Sequence, residues 1–385
     1  MADTSLPYRL RLPGPTAVPE RIRMALTEPV VSHRGQEFKD VMTETAMLIK
    51  PVFGTNNDVM TFASSGTGVM EAAVANVLGK DDKALVIDNG QFGERFVKII
   101  RSMNRQADTI KVPWGDAVCA DAVRQQLSGN DYRAVFAVHN ESSTGAVSDL
   151  KAIGKVVRES DAILVVDSVS GAGGLELRQD EWGVDVLVSA SQKALMCPPG
   201  LGLASVSEKG WSVIDRDAGQ ARFYWDFRKA RDSASNGQTA FTSPMPLVYG
   251  LREALRMIHE DGWPNVLARH VRLSSALRAG GMAMGLPLFT KAPILSNTVC
   301  VFRMPEGLDG TAIVRHMYEK FNTVIAGSRT DLKGKIIRIG TMGCICEDDI
   351  RTDLNYLERT LGELGWKIES GAGQAAVDAA LEAAA

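Results

Sequence analysis

The stretch Ala162-Ile163-Leu164-Val165-Val166-Asp167, followed by Val184-Asp185-Val186-Leu187-Val188 and then Ser189-Ala190-Ser191-Gln192-Lys193-Ala194, decides the fold. Each apolar run is short and continuous rather than alternating, the pattern of a strand covered on both faces by helices. Runs of the same texture occur at 59–62, 84–87, 134–138 and 202–206. The segments between them are long enough for helices, as at 69–78 and 146–158. Repeated strand–helix units predict an α/β protein with a mainly parallel, doubly wound sheet.

A chain of 385 residues is too long for one simple core, and two domains are expected. The texture changes around Glu260-Asp261-Gly262. Beyond it, helical stretches at 266–279 and 350–364 flank strand-like pieces at 298–303 and 335–339. The expected division is an N-terminal arm at 1–20, a large domain at 21–262 and a smaller C-terminal α/β domain at 263–385. Pro7, Pro13, Gly14, Pro15 and Pro19 forbid a continuous helix in the arm. The tail from Gly371 is rich in Ala and Gly, a composition that suits a docked helix and a frayed end alike.

Composition excludes several function classes. A hydrophobic fraction of 45% and a charged fraction of 23% are those of an ordinary soluble enzyme. A net charge of -3 argues against nucleic acid or an anionic membrane as the main partner. The five Cys form no CxxC pair, so neither a disulfide framework nor a thiolate metal site is indicated, and a reducing cytoplasm is expected. The first residues lack the basic and apolar regions of a secretory signal. No apolar run approaches the ~20 residues of a membrane helix.

The residues at the strand ends carry the chemistry. In open α/β sheets ligands bind beyond the carboxyl ends of the strands, which is where Asp167 and Lys193 fall. Ser64-Ser65-Gly66-Thr67-Gly68 lies between a strand and a helix, where free N–H groups and small residues cradle a phosphate. The same turn also serves as a plain helix cap. His139-Asn140-Glu141-Ser142-Ser143-Thr144-Gly145 is an unbroken polar run after the strand at 134–138, a ligand loop or a loop of capping hydroxyls. Asp167 reads as a helix cap or as a carboxylate facing a cation. Lys193 stands among small and apolar residues that would lower its pKa and make it nucleophilic. Arg338, between Ile337 and Ile339, calls for an anion, whether a substrate carboxylate or a structural partner. A Lys to condense with an aldehyde and an Asp to keep a pyridine nitrogen protonated are what pyridoxal 5'-phosphate needs from a protein.

The chain resembles the class V, fold-type I aminotransferases of pyridoxal phosphate, in the serine/alanine–glyoxylate (serine–pyruvate) branch. The resemblance runs nearly end to end. It is carried by Pro13-Gly14-Pro15-Thr16, Ser65-Gly66-Thr67-Gly68, Gly90-Gln91-Phe92-Gly93, His139-Asn140-Glu141-Ser142, Asp167-Ser168-Val169, Ser191-Gln192-Lys193 and Arg338-Ile339-Gly340. It implies that Lys193 is the Schiff-base lysine and proton shuttle and that Asp167 pairs with the pyridinium. It implies that Ser65, Gly66 and Thr67 hold the phosphate with Gln192 beside it, and that Phe92 and Val169 cover the two ring faces. Ser142 would reach the ring oxygen. Arg338 would hold the substrate carboxylate, near Gly14 and Ser142. It further implies a homodimer with shared active sites, Thr242 reaching the partner's phosphate and the N-terminal arm wrapping the other subunit.

The expected reaction is transfer of an amino group from a small amino acid, serine or alanine, to glyoxylate, a 2-oxo acid. Only one carboxylate-binding Arg is visible in the sequence, which favours such donors over dicarboxylic ones. Ureidoglycine is an alternative donor. A lyase such as a cysteine desulfurase is a further alternative, but the stretch 325–335 before Arg338 holds no Cys. Cys344 and Cys346 read as small buried residues.

Overall fold

The computed structural model describes residues 5–216, 220–329 and 331–383, so the first four residues of the expected arm and the last two of the tail lie outside it. A seven-stranded sheet forms the centre, from β1 (Val59–Ser64), β2 (Lys83–Asp88), β3 (Gln106–Lys111), β4 (Ala134–Val138), β5 (Ile163–Asp167), β6 (Val186–Ala190) and β7 (Gly200–Val206). Their order across the sheet is β1-β7-β6-β5-β4-β2-β3. The pairs between β6 and β3 are parallel, whereas β7 runs antiparallel to both β6 and β1. The reversal follows from the connection: Pro198-Pro199-Gly200 turns the chain directly back, too short a link for a crossover helix.

Successive residues of each strand enter opposite cores. Leu164 and Val166 of β5 join one apolar cluster, Ile163 and Val165 the other. The first core is closed by α1 (Gln36–Phe53) and the helix Met245–Asp261. The second is closed by α2 (Gly66–Val77) and α3 (Gln91–Ser102). This two-sided burial explains the continuous apolar runs. It also explains why β3, Gln-Ala-Asp-Thr-Ile-Lys, gave no such signal. It is the edge strand and its ends are exposed.

One expectation is corrected. The helix expected over 146–158 begins only at Leu150. Ala146–Val147 instead pairs with Asn140–Glu141, and Asp149 caps the helix by accepting from the Ala152 amide at 2.9 Å. The arm is extended and also pairs with its own chain. Arg9–Leu10 pairs in parallel with Thr323–Val324, and the Gly340 amide donates to the Arg11 carbonyl at 2.8 Å.

The C-terminal part has its own apolar cluster. It contains the antiparallel pair β8 (Val299–Arg303) and β9 (Ile336–Gly340), covered by α4 (Trp263–Ala283), α5 (Gly310–Phe321) and α6 (Glu347–Glu363). The tail is a helix, Ala372–Ala383, docked through the buried Val377 and Leu381.

Candidate active site

Asp167 ends β5 at the carboxyl edge of the sheet, in register with Val138 and Val188. Its carbonyl accepts from the His139 amide at 2.8 Å and its Oδ1 accepts from the Val169 amide at 2.7 Å. His139 stands behind it, with Nδ1 2.9 Å from Ser168 Oγ. Burial pushes the imidazole down to about 4 and keeps it neutral. Burial likewise pushes the Asp167 carboxyl up to about 6, against the Val169 amide, which holds it down.

Lys193 lies in the turn after β6, where the Thr16 amide donates to the Gln192 carbonyl at 3.1 Å and Thr16 Oγ1 donates to the Lys193 carbonyl at 2.9 Å. The arm therefore crosses the turn. Lys193 Nζ donates to the Pro13 carbonyl at 2.5 Å. Gly14, at φ +104, approaches so closely that a Cβ there would stand 2.2 Å from Lys193 Cδ. Burial lowers the Lys193 ammonium to about 8; Asp167 opposes the shift, and Arg338 and Arg95 add to it. About half of the amine is thus neutral at pH 8, the form a nucleophile or base requires.

Two cavities meet at Lys193. One, of about 290 Å³, is lined by Ser65, Gly66, Thr67, Phe92, Asp167, Val169, Gln192 and Lys193. It opens at the N-terminus of α2, which Ser65 caps by accepting from the Gly68 amide. The floor under this end is tight, since a Cβ on Gly66 would lie 3.1 Å from Val169 Cγ2. The second, of about 510 Å³, is lined by Gly14, Phe92, Ser142, Lys193 and Arg338. Arg338, on β9, donates from Nε and Nη2 to the Gly327 carbonyl at 3.0 and 2.7 Å and from Nη1 to the Ser142 carbonyl at 3.0 Å. Burial lowers its pKa. Among the described residues these hydrogen bonds go to neutral carbonyls; the Glu141 carboxylate opposes the shift, and the guanidinium can still take an anion.

The structure thus brings together eleven of the twelve residues read from the sequence, Gly14 and Ser142 included. Thr242 is the exception. It is exposed and lines a separate cleft with Tyr224 and Phe241. Other site groups were not foreseen. Arg95 lines the smaller cavity, donates to Thr67 Oγ1 at 3.0 Å and lies 4.5 Å from the Phe92 ring centre. Its signal was present in the sequence: it follows Phe92 by one helical turn on α3. Arg329 and Lys333, which the sequence did not single out, line the larger cavity with Arg338. None of the five cysteines lines either cavity, and Cys344 and Cys346, expected to be buried, are exposed.

The class-V aminotransferase family model matches residues 23–331. The serine–glyoxylate aminotransferase of Methylorubrum extorquens is 34% identical over 394 residues, covering 99% of this chain and 98% of that protein. The L-aspartate–glyoxylate aminotransferase of Paracoccus denitrificans is also 34% identical, over 95% of this chain and 94% of its own. The crystal structure of the ureidoglycine–glyoxylate aminotransferase of Bacillus subtilis superposes with a TM-score of 0.93 at 30% identity, over 98% of both chains. With a family match over most of its length and relatives aligned nearly end to end, this chain belongs to the class-V aminotransferases, enzymes of pyridoxal phosphate.

Proposed function

We propose that this aminotransferase moves the amino group of a small L-amino acid, serine or alanine, to glyoxylate, giving hydroxypyruvate or pyruvate and glycine. The observation that carries the proposal is the convergence of Lys193, Asp167 and Arg338 on two joined cavities. The smaller cavity fits pyridoxal phosphate on several counts. Asp167 is a buried carboxyl raised to about 6, so a pyridinium would satisfy it. Gln192 Oε1 is buried with no partner among the described residues. The capped start of α2 offers amides to a phosphate.

The cofactor, when bound, supplies an electron sink for negative charge at the donor's Cα. The chain supplies the rest. Ser65, Gly66, Thr67 and Gln192 hold the phosphate, and Phe92 and Val169 hold the ring from its two faces. Asp167 keeps the ring nitrogen protonated, and Ser142 reaches the ring oxygen. Arg338 grips the α-carboxylate and so aims the Cα–H bond at Lys193. Lys193 Nζ is the base that removes this proton and the acid that returns it. Burial, which lowers its pKa, keeps it competent for both steps.

The proposal includes a homodimer in the cytoplasm and the division into an arm 1–20, a large domain 21–262 and a small domain 263–385. In that homodimer Thr242, exposed and away from its own chain's cavity, would serve the partner's phosphate site. A holoenzyme that sediments as a monomer would remove that role.

The test is a spectral half-reaction on the holoenzyme. L-Serine or L-alanine should bleach the cofactor's visible band and glyoxylate should restore it. If only ureidoglycine bleaches the band, the donor assignment is wrong. If no amino compound does, the reaction is wrong.

A further inference from the structure

The smaller cavity holds a cation that the proposed reaction does not use. Among the described residues, Arg95 and Lys193 are the only cations that line it, and Asp167 is the only carboxylate. Lys193 is committed to the cofactor's aldehyde and to proton transfer, and Asp167 to the ring nitrogen. Arg95 has no counter-ion of its own. Its contacts are with neutral groups: Nη1 donates to Thr67 Oγ1 at 3.0 Å, and the guanidinium lies 4.5 Å from the Phe92 ring centre. No described carboxylate pairs with it, and its other N–H groups have no described acceptor.

The contact with Thr67 fixes where that charge stands. Thr67 lies in the first turn of α2, where backbone amides are free to take an anion. A hydroxyl that accepts from Arg95 still has its own proton to donate, and no described atom accepts it. Arg95 and Thr67 are thus held together at the end of the cavity that suits a phosphate.

The charge balance asks for such a group. A phosphate monoester carries about -1.5 to -2 near pH 7. Ser65, Gly66, Thr67 and Gln192 meet it with neutral donors and the partial charge of one helix start. An anion drawn out of bulk water needs an opposing charge as well as hydrogen bonds. The charge of Arg95 already reaches into the site. Burial dominates the shifts of Asp167 and Lys193, and against that background Arg95 holds the Asp167 carboxyl down and adds to the lowering of Lys193.

We propose that Arg95 is a cofactor-binding residue that supplies the counter-charge to the phosphate of pyridoxal phosphate, donating to a phosphate oxygen while its guanidinium rests over Phe92. This role rests on the cofactor assignment made above. It lets one residue of α3 serve both ends of the cofactor, the phosphate by charge and the ring through Phe92.

The experiment titrates the full chain, freed of cofactor, with pyridoxal 5'-phosphate and separately with pyridoxal, which has the same ring and aldehyde but no phosphate. Binding is read from the visible band that forms at Lys193. Wild type, Arg95→Gln and Arg95→Lys are compared. In Arg95→Gln the dissociation constant for pyridoxal phosphate should rise about tenfold or more, the factor carried by one charge-assisted hydrogen bond. The constant for pyridoxal should stay within about twofold, the scatter of a substitution that touches nothing in the ligand. Arg95→Lys keeps the charge without the planar fork and should recover part of the loss. An equal loss with both ligands overturns the inference, because Arg95 would then act through Phe92 or the fold. Unchanged affinity of Arg95→Gln for pyridoxal phosphate overturns it too, as does a Lys variant as weak as the Gln variant. The cofactor site stands in all three cases. A wild-type chain that binds neither ligand overturns the cofactor assignment and the role of Arg95 with it.

Discussion

Two residues of the site carry shifts that tie cofactor binding to pH. The folded Asp167 carboxyl, at about 6, lies above its ordinary 3.8. Its contribution to stability is therefore present below pH 3.8 and lost as pH rises through 6. The folded Lys193 ammonium, at about 8, lies below its ordinary 10.5. Its contribution is present above 10.5 and lost as pH falls through 8. Pyridoxal phosphate needs Asp167 ionised and Lys193 neutral, so binding must remove a proton from each where it is still held. Affinity should rise from pH 5.5 to 8 and level off above. Scanning fluorimetry of the apo chain with and without the cofactor reads this directly. The gain in Tm should be clearly larger at pH 8 than at pH 5.5, and an equal gain at both would mean that neither group is linked to binding. Asp167 and Lys193 were legible in the sequence because each ends an apolar run and stands alone in its chemistry. Arg329 was not, because a charged residue in a polar loop looks like any solvated Arg until the fold sets its loop against β9.

Among the elements, α3 depends on a single buried carboxylate. Glu141 Oε2 accepts from the Phe92 and Gly93 amides at 2.9 and 3.2 Å. Its Oε1 accepts from the Ser143 amide and hydroxyl at 3.1 and 2.5 Å. The helix start, the Phe92 ring and the loop after β4 are thus fixed together. Gly90 is required beside it, since a Cβ there would stand 2.4 Å from Glu141 Cγ. Glu141→Ala leaves these buried amides unsatisfied and should cost about 1–3 kcal/mol of stability. It should also weaken cofactor binding, because Phe92 and Arg95 leave together with the first turn of α3. Denaturant unfolding of the apo chain and a cofactor titration separate the two effects. Loss of stability with unchanged cofactor affinity would show that α3 holds its place without Glu141. The loop 139–145 was legible as polar and near a strand end. That its carboxylate turns inward to cap a helix far away in the sequence was not, because such a cap has no local spacing.

At the scale of the molecule, the arm ties the C-terminal part to the catalytic lysine. Arg11 is 6% exposed and Asp353, on α6, is 1% exposed. Arg11 Nε donates to Asp353 Oδ2 at 2.6 Å, and Arg9 Nη2 donates to Asp353 Oδ1 at 2.8 Å. Asp349 pairs with both arginines. Two residues beyond Arg11, the Pro13 carbonyl holds Lys193 Nζ, and Gly340 at the end of the Arg338 strand would clash with the Leu12 carbonyl if it bore a Cβ. The carboxylate grip and the catalytic amine are therefore set against each other by one short extended segment. Prolines marked that segment as non-helical in the sequence, but its partners stand from 177 to 344 positions away, beyond any periodic signal. Asp353→Asn keeps the shape and removes one of the two carboxylates that the buried Arg11 and the half-buried Arg9 share. Because Asp349 still pairs with both, the cost should fall below the ~3–5 kcal/mol of a buried pair left without a partner. If the segment positions Lys193, the loss should also appear at the site: in the half-reaction the pH midpoint of proton removal should move away from that of the wild type, since the Pro13 carbonyl no longer holds the amine. Lower stability with an unmoved midpoint would confine Asp353 to the fold and leave Lys193 independent of the arm.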